Sequence, residues 1–387
     1  MPSTYIDFHV IQSLPPSNIN RDDTGAPKSA LYGGVRRARV SSQAWKRAAR
    51  AQFPDQLDGS ELGVRTKRLV EILAPLIAKK GGLDAAAAEV RAAAVLQALG
   101  LKLEKKARRK KDEAEGAPED KPMSEYLVFL SAHQLDRLAD LAVATKDGKI
   151  DKQAAIKAAD TQHGIDIALF GRMVADAADL NVDASVQVAH AISTHAVDNE
   201  FDYFTAVDDK KPDDETGAGM IGTVEFNSAT LYRFATLNVG ALTKTLGDVE
   251  AAGRAAAAFA RGFVTSMPTG KQNTFGNRTV PDAVVVMVRT DQPVSLVGAF
   301  EDAVPNQGVD GYVRQSCERL ADYARSIAVN FGIDPDAVWV TRGPSSASAV
   351  DALGEKVTLD ELVARVRRTA SRSVTLADRE PAPASAN

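Results

Sequence analysis

Apolar and polar residues alternate, or β-branched residues run together, in four segments of the chain, and such segments predict β-strands. Two other segments repeat apolar residues at helical spacing, which predicts amphipathic helices. In chain order the predicted elements are a strand at Tyr5–Ile11, a helix from about Gln43 to Phe53, strands at Ser185–Ile192 and Thr230–Val239, a helix from about Leu246 to Phe263, and a strand at Ala283–Arg289. This is the order of a ferredoxin-like, split βαβ domain, which many RNA-recognition domains use. Pro15 and Pro16 are expected to end the first strand.

Two long segments interrupt that order. From about Glu61 to Ala184 the chain is rich in Ala and Leu at helical spacing, which predicts a helical subdomain inserted after the first helix. Asn199–Glu225 carries Phe201, Tyr203 and Phe204 ahead of a polar, Gly-rich tip, and it is predicted to form a long hairpin-like excursion. Exposed aromatic rings on such an arm would suit base stacking, and the alternative is that they pack onto the domain.

The C-terminal part adds two predicted helices, one at about Tyr312–Phe331 and a short one from Thr358, with Glu361 in capping-box position. Arg372–Asn387 is expected to be disordered. The charge run Glu104–Pro122 has no apolar period, so we expect a solvated loop there.

Composition excludes several classes of protein. With 387 residues, 44% hydrophobic and 25% charged, the chain is long enough for two or three structural units of an ordinary globular protein. Cys317 is the single cysteine, so a disulfide framework within one chain is excluded, which fits a reducing, cytoplasmic location. No apolar run approaches the length of a membrane span, so no membrane partner is expected.

The net charge of −4 makes one basic stretch conspicuous, because no acidic residue occurs from Thr24 through Phe53. Its cations are Lys28, Arg36, Arg37, Arg39, Lys46, Arg47 and Arg50. Ser41 and Ser42 offer an N-cap for the first helix, on which Gln43, Lys46, Arg47 and Arg50 share one face. Such a face favours a polyanion, and the alternative is an ordinary solvated basic surface. A Gly-, Pro- and Asn-rich segment, Thr265–Val280, presents Lys271 and Arg278 and is either a second phosphate-contacting loop or a plain connector.

Catalytic or metal chemistry has little support in the sequence. The five histidines are His9, His133, His163, His190 and His195. Because His190 shares a face of its predicted strand with Val188, we expect its imidazole to pack in or beside the core rather than bind a metal. No HExxH, GxSxG, CxxC or GxGxxG motif is present, and the pairs Asp22–Asp23 and Asp208–Asp209 are better explained by turns or caps. We predict no cofactor and no metal.

Several blocks of sequence resemble a known family. They are NRDD (Asn20–Asp23), GGVRRARVSSQAWKRAAR (Gly33–Arg50), GIDIALFGRM (Gly164–Met173), AHAISTHAVDNEFDYFTAVDD (Ala189–Asp209) and TGKQNTF (Thr269–Phe275). These blocks resemble the CasC family, which supplies the backbone subunit of Cascade, the type I-E CRISPR interference complex.

The resemblance implies an α+β protein with an RRM-like palm, helical fingers and a hairpin thumb. It implies a subunit without catalytic activity, of which several copies line up as a filament along the CRISPR guide RNA and present its bases to target DNA. Its partners would be the guide RNA, target DNA through the guide, further copies of itself, other Cascade subunits and, indirectly, a recruited helicase-nuclease. On this basis the expected parts are palm 1–58, 185–198 and 226–345, fingers 59–184, thumb 199–225, a C-terminal helix 346–371 and a disordered tail 372–387.

The resemblance also implies the RNA-binding residues. Together with the basic stretch they are Arg21, Lys28, Arg36, Arg37, Ser41, Gln43, Lys46, Arg50, Met173, Tyr203, Phe204, Thr205 and Lys271. The chain departs from the family at Val35, where a lysine is often found, at Trp45, which replaces an aliphatic residue, and at Tyr203, which replaces a tryptophan.

Two alternatives from other functional classes stay open at this point. One is an endoribonuclease on the same RRM-like fold that processes CRISPR RNA with a histidine or lysine. The other is a helical scaffold that binds no nucleic acid.

Overall fold

The computed structural model of the chain describes residues 3–104, 121–145, 149–206, 220–306 and 311–372. In these ranges the strands are β1 (Tyr5–Ser17), β2 (Ser29–Tyr32), β3 (Val35–Val40), β4 (Gly63–Thr66), β5 (Leu103–Glu104), β6 (Met123–Ser124), β7 (Val128–Ser131), β8 (Val186–Val188), β9 (Ala191–Ser193), β10 (Glu200–Ala206), β11 (Met220–Asn238), β12 (Ala283–Arg289), β13 (Ala337–Arg342) and β14 (Glu355–Lys356). The helices are α1 (Ser42–Ala51), α2 (Leu69–Gly81), α3 (Ala85–Ala98), α4 (Ala132–Ala144), α5 (Lys152–Ala159), α6 (Ile165–Phe170), α7 (Val239–Leu246), α8 (Val249–Thr265), α9 (Gln272–Phe275), α10 (Tyr312–Phe331) and α11 (Leu359–Arg372).

The chain divides into two compact units. The first comprises Met1–Phe53, Val186–Val239 and Ala256–Asn387, and the second comprises Pro54–Ser185 and Gly240–Ala255. The predicted division into palm, fingers and thumb uses other boundaries and stays a prediction.

One large mixed sheet organises the first unit. Its strand order is β14-β13-β12-β1-β11-β9-β3-β2, and β8 and β10 also pair with β11. Neighbours are antiparallel except β13 and β14. The predicted α+β class is therefore confirmed at the level of a mixed sheet with helices.

Side chains alternate across a strand, so the central strands present two faces. Both faces are covered by other elements. On one face Phe8 contacts Phe259 and Phe263 of α8, with ring centroids 5.5 and 6.0 Å apart. Helix α1 packs beside α8, since a Cβ on Gly262 would come 3.0 Å from the carbonyl oxygen of Ala49. On the other face, α10 and the residues before it bury a cluster that includes Ile11 and Val285.

Buried polar groups on that second face fasten the segment after β12 to the sheet. The backbone N–H of Val294 donates to Asp7 Oδ2 at 2.9 Å, and that of Leu296 donates to the Tyr232 hydroxyl at 3.0 Å. The same hydroxyl lies 2.9 Å from His9 Nδ1. Burial raises the pKa of Asp7 to about 6, although Arg289 lies 3.3 Å away, and burial lowers the pKa of His9 to about 3.

The second unit is built around a helical core. Helices α2 to α5 bury apolar side chains such as Leu73, Ile77 and Leu138. Gly82 caps α2 in the left-handed conformation at φ +61. Two short antiparallel ladders, β4–β7 and β5–β6, were not predicted. The charge run Glu104–Pro122 lies almost wholly outside the described residues.

Three strand predictions were wrong in extent, and one of them is β11, which begins at Met220 rather than at Thr230. Strand β1 does not end before Pro15 but continues to Ser17, and its register with β11 shifts between Leu14 and Ser17, where a missing proline N–H is tolerated. The single strand predicted at Ser185–Ile192 is two short strands, β8 and β9, with a break at residues 189–190. In the part of the chain that the structure describes, no helix combines the length and apolarity needed to cross a bilayer.

Candidate nucleic-acid interface

Helix α1 presents the predicted basic face. Ser41 is its N-cap, with its side chain accepting a hydrogen bond from the N–H of Ala44. Trp45 and Ala49 are buried, whereas Gln43 and Arg47 are exposed and Lys46 is half-buried. Burial lowers the pKa of Lys46.

A buried arginine holds α1 on the sheet. The Arg233 guanidinium lies 3.7 Å from the centre of the Trp45 ring and donates to Gln12 Oε1 and to the Phe263 carbonyl oxygen. Burial lowers the pKa of Arg233 to about 9. Sequence reasoning missed this residue, although the signal was present, since Arg233 shares one face of β11 with the apolar Leu231 and Ala235.

The segment before β2 reaches the start of α1. Asn20 Oδ1 accepts a hydrogen bond from the Ser41 N–H at 2.8 Å, and the Asn20 carbonyl accepts one from the Lys28 N–H at 2.9 Å. Between these residues Arg21 is exposed. Asp22 Oδ1 accepts from the N–H groups of Thr24 and Ala26, so it builds a turn, as expected for this carboxylate. Arg21 and Lys28 therefore lie on an ordered loop next to the α1 N-cap.

The loop that carries Lys271 meets the same segment. A Cβ on Gly270 would lie 2.4 Å from the Ile19 carbonyl oxygen, so only glycine allows this approach. Lys271 adopts the left-handed conformation at φ +48 and precedes the short α9. Further along, Thr279 Oγ1 donates to the Ser13 carbonyl at 2.8 Å. The loop is thus tethered to the end of β1.

The two arginines that follow Val35 differ in their exposure to solvent. Arg36 is exposed, but Arg37 is buried, and its guanidinium donates to the carbonyl oxygens of Tyr32, Ser193, Phe300 and Glu301. These bonds hold the β2–β3 hairpin against the segment that covers the sheet. In this conformation the Arg37 donors are committed to the main chain, so we remove Arg37 from the expected RNA-binding set.

The expectation for His190 was wrong as well. The residue falls in the break between β8 and β9, and its side chain is exposed rather than packed in the core. Its Nδ1 lies 3.1 Å from an Arg39 guanidinium nitrogen. Among the described residues, no group of three or more His, Cys, Asp or Glu side chains is arranged to hold a metal ion.

The long excursion is a two-stranded antiparallel hairpin, formed by β10 and the first part of β11. Phe201 and Tyr203 are 68% and 64% exposed, and Thr205, on the same face, pairs with Ile221, which is 60% exposed. Phe204 points the other way, where its ring lies over Gly222, so that a Cβ on this glycine would come within 2.5 Å of it. The tip, including Asp208–Asp209, lies outside the described residues.

Met173 belongs to the second unit and is 84% exposed. It follows the buried Arg172, whose guanidinium donates to the carbonyl oxygens of Leu180, Phe129 and Ala159. The main chain at Met173 is therefore well anchored, while its thioether side chain is presented to solvent.

A family model described as "CT1975-like protein" (Cas_CT1975) matches residues 6–365. The chain belongs to this family. The match spans both units and every described segment of the interface.

Two solved structures similar to the chain agree with that assignment. One is a chain of a "CRISPR RNA-guided surveillance complex, pre-nicking", with 34% identity and a TM-score of 0.80 over 94% of this chain and 100% of the other. The second is a chain of a "CRISPR RNA-guided surveillance complex", with 31% identity and a TM-score of 0.69 over 93% of this chain and 99% of the other. Among curated proteins, none matches the chain. The resemblance to Cascade subunits inferred from the sequence is thereby confirmed, and a Cascade-type role is supported.

Proposed function

We propose that this chain is the subunit that binds the backbone of the CRISPR guide RNA and assembles in several copies as the filament of a Cascade complex. One observation carries the proposal: residues 18–20 contact both the α1 N-cap and the Lys271 loop. Three segments far apart in the sequence thus meet on the first unit, with Arg21, Lys28, Lys46 and Lys271 in them or next to them. The three segments are residues 20–28, the start of α1 and residues 269–275.

The strand order supports an RRM-like palm. Taking β1, the β8–β9 pair, β11 and β12 as its first to fourth strands, the order across the sheet is fourth, first, third, second. This is the order of the split βαβ fold, with α1 and α8 as its two helices. The face on which such domains usually stack RNA bases is here covered by α10, so the RNA must bind elsewhere. The basic loops at the end of β1 and the start of α1 offer that site.

The chemistry of these residues suits a guide of arbitrary sequence. Arg21, Lys28, Lys46, Arg50 and Lys271 would contact phosphates, and Ser41 and Gln43 would add hydrogen bonds, without reading base edges. On the hairpin, Tyr203 and its neighbour Phe201 present apolar faces that stack against any base. We propose that this hairpin is the thumb, that Met173 contributes a further apolar contact, and that affinity accumulates over many copies along one RNA.

In this proposal the chain has no catalytic activity of its own. The bases that it exposes would pair with target DNA, and cleavage would belong to a recruited helicase-nuclease. Other Cascade subunits would bind at the ends of the filament.

The proposal is tested by a double substitution on α1. Lys46→Ala with Arg50→Ala should weaken RNA binding about equally for unrelated guide sequences. It should also flatten the dependence of log affinity on log salt, by about 0.7 for each phosphate of the single strand that is no longer neutralised by a cation. Binding of the full-length protein to several CRISPR RNAs would be measured over a salt series.

The matched control removes two cations on α10, by Arg314→Ala with Arg325→Ala, and should leave the slope unchanged. A loss confined to certain guide sequences would contradict backbone readout, and no RNA binding by the wild type would contradict the proposal itself. Metal-independent cleavage of repeat RNA that disappears in a His190→Ala variant would instead favour the endoribonuclease.

A further inference from the structure

Lys28, Arg39 and His190 lie together beside the start of α1. In the β3–β9 ladder Val40 pairs with Ala191, so His190, one residue earlier, comes next to Ser41. The Arg39 side chain is fixed at two points, since Nε donates to the Ser29 carbonyl at 3.1 Å and Nη1 lies 3.1 Å from His190 Nδ1. Arg39 and Lys28 line the same small cavity of about 20 Å³.

The geometry fixes the proton on the imidazole. A guanidinium group only donates hydrogen bonds, so His190 Nδ1 is the acceptor and the neutral ring carries its proton on Nε2. The cluster therefore offers donors on all three members: the ammonium group of Lys28, the remaining N–H groups of Arg39 and the Nε2–H of His190.

The cluster also has an unbalanced positive charge. Within the described residues, neither Lys28 nor Arg39 forms an ion pair with a carboxylate, and the charged groups that act on His190 are Arg39, from β3, and Lys28, from the segment before β2. Burial, followed by the positive charges of Arg39 and Lys28, lowers the pKa of His190. Fixed donors and positive charge without an acidic partner are complementary to a phosphate group.

We propose that Lys28, Arg39 and His190 form a binding site for one phosphodiester group of the RNA, and that His190 takes up a proton when the phosphate binds. The inference rests on the proposed function and adds Arg39 and His190 to the residues implied by the sequence. A phosphate between the two cations and the imidazole replaces charge repulsion by attraction, and this favours the doubly protonated ring. Protonation at Nδ1 ends the hydrogen bond from Arg39, whose N–H then donates to the phosphate instead. RNA binding at this site is therefore coupled to proton binding.

Proton uptake is measured by titrating the full-length protein with a single-stranded oligouridine in a calorimeter at about pH 6.5, the ordinary pKa of histidine. Two buffers with different heats of ionisation separate proton uptake from binding. The wild type should take up protons in proportion to the copies bound, and His190→Gln should lose most of this uptake. His133→Gln, which changes an exposed histidine of the second unit, should retain it.

A salt series tests the phosphate contact separately. Arg39→Ala should lower the slope of log affinity against log salt by about 0.7 relative to the wild type. Unchanged proton uptake in His190→Gln, or an unchanged slope in Arg39→Ala, would overturn the inference. If Arg39→Ala does not fold, Arg39→Lys keeps the charge but removes the fixed donor that holds Nδ1 unprotonated in the free protein. The free variant should then already carry part of the proton, so its proton uptake on binding should be reduced.

The two proposals fail in distinguishable ways. A wild-type protein that does not bind the oligouridine contradicts the proposed function. A wild type that binds RNA with strong salt dependence, beside variants that behave identically, contradicts only the inference about Lys28, Arg39 and His190.

Discussion

The main-chain carbonyl group of Glu301 leaves room only for glycine at position 33. In the turn between β2 and β3, Gly33 and Gly34 both have positive φ, at +58 and +75, the conformation of a tight hairpin turn. A Cβ on Gly33 would lie 1.6 Å from the Glu301 carbonyl oxygen, whereas a Cβ on Gly34 would meet nothing within 4 Å. The same Glu301 oxygen accepts a hydrogen bond from Arg37 at 3.1 Å. The turn is thus fitted to the segment that covers the sheet.

The two glycines should respond differently to alanine. Gly34→Ala adds only the strain of a positive φ and should lower the free energy of unfolding by about 1 kcal/mol. Gly33→Ala adds a clash with fixed backbone and should lower it by more than about 3 kcal/mol. Urea denaturation of both variants provides the comparison, and equal midpoints would show that the contact with Glu301 does not hold in solution.

For single residues, the sequence predicts the chemical character of a segment better than it predicts which side chains are exposed and which are buried. The run from Gly33 to Arg39 indicates a basic stretch, which the structure contains. It does not reveal that Arg36 faces solvent while Arg37 is buried, because that depends on the pairing of β3 with β9 and on residues near 300. The exposure of His190 was not predicted for a similar reason, because alternation of apolar and polar residues does not by itself reveal a break between two strands.

Among the elements, the β10–β11 hairpin differs most from its surroundings. Its exposed rings Phe201 and Tyr203 stand on one face, while Phe204 packs over Gly222 on the other. Because exposed side chains contribute little to stability, Phe201 and Tyr203 should stabilise the hairpin less than Phe204 does.

Replacing the exposed rings should change the stacking of bases in the bound guide RNA and leave the stability of the protein nearly unchanged. Phe201→Ala with Tyr203→Ala should leave thermal unfolding nearly unchanged. It should also reduce the fluorescence of 2-aminopurine placed at those guide positions where the wild type unstacks a base. Val329→Ala, at an exposed apolar residue of α10, is the control. Full fluorescence in the double variant would contradict the proposal that these rings contact the bases of the guide.

Element boundaries show where local pattern is sufficient. β12 and α10 have the predicted bounds, because each is a continuous run with one clear period. The two-residue strands β5, β6 and β14 were missed, since segments so short are defined by their partners. The length of β1 was missed because two prolines normally end a strand and here coincide with a register shift.

Across the whole molecule, buried ionisable groups should shape stability in acid. The folded pKa of His9, about 3, lies below its ordinary value of 6.5, so acidification from 6.5 towards 3 destabilises the fold through His9. The folded pKa of Asp7, about 6, lies above its ordinary 3.8, so acidification from 6 towards 3.8 stabilises the fold through Asp7. Between about pH 4 and 6 the two effects oppose each other.

Substituting either Asp7 or His9 should reveal the effect of the other residue on stability in acid. Asp7→Asn should lose stability on acidification more steeply than the wild type between pH 6 and 4, by up to about 1.4 kcal/mol per pH unit. His9→Gln should lose it less steeply. Urea midpoints at three pH values measure the slopes, and parallel curves for all three proteins would show that neither group changes its protonation on unfolding in this range.

The sequence indicated the fold class and the family more fully than it indicated the site. Helical spacing and alternation give the order of the main elements, and that order already suits a split βαβ core. The closure of the second sheet face by α10 and residues 294–300 depends on buried hydrogen bonds such as those of Tyr232, which no local pattern displays.

The continuity of β11 has a mechanical consequence. This strand runs without interruption through 19 residues, from the exposed hairpin at Met220 to the buried sheet at Asn238, a length of about 60 Å at the usual rise per residue. Since β11 also pairs with β1 from Asn227 to Asn238, the hairpin continues directly from a strand that is held in the core. Because no loop separates the hairpin from the sheet, a change in the direction of β11 within the sheet would also change the direction of the hairpin.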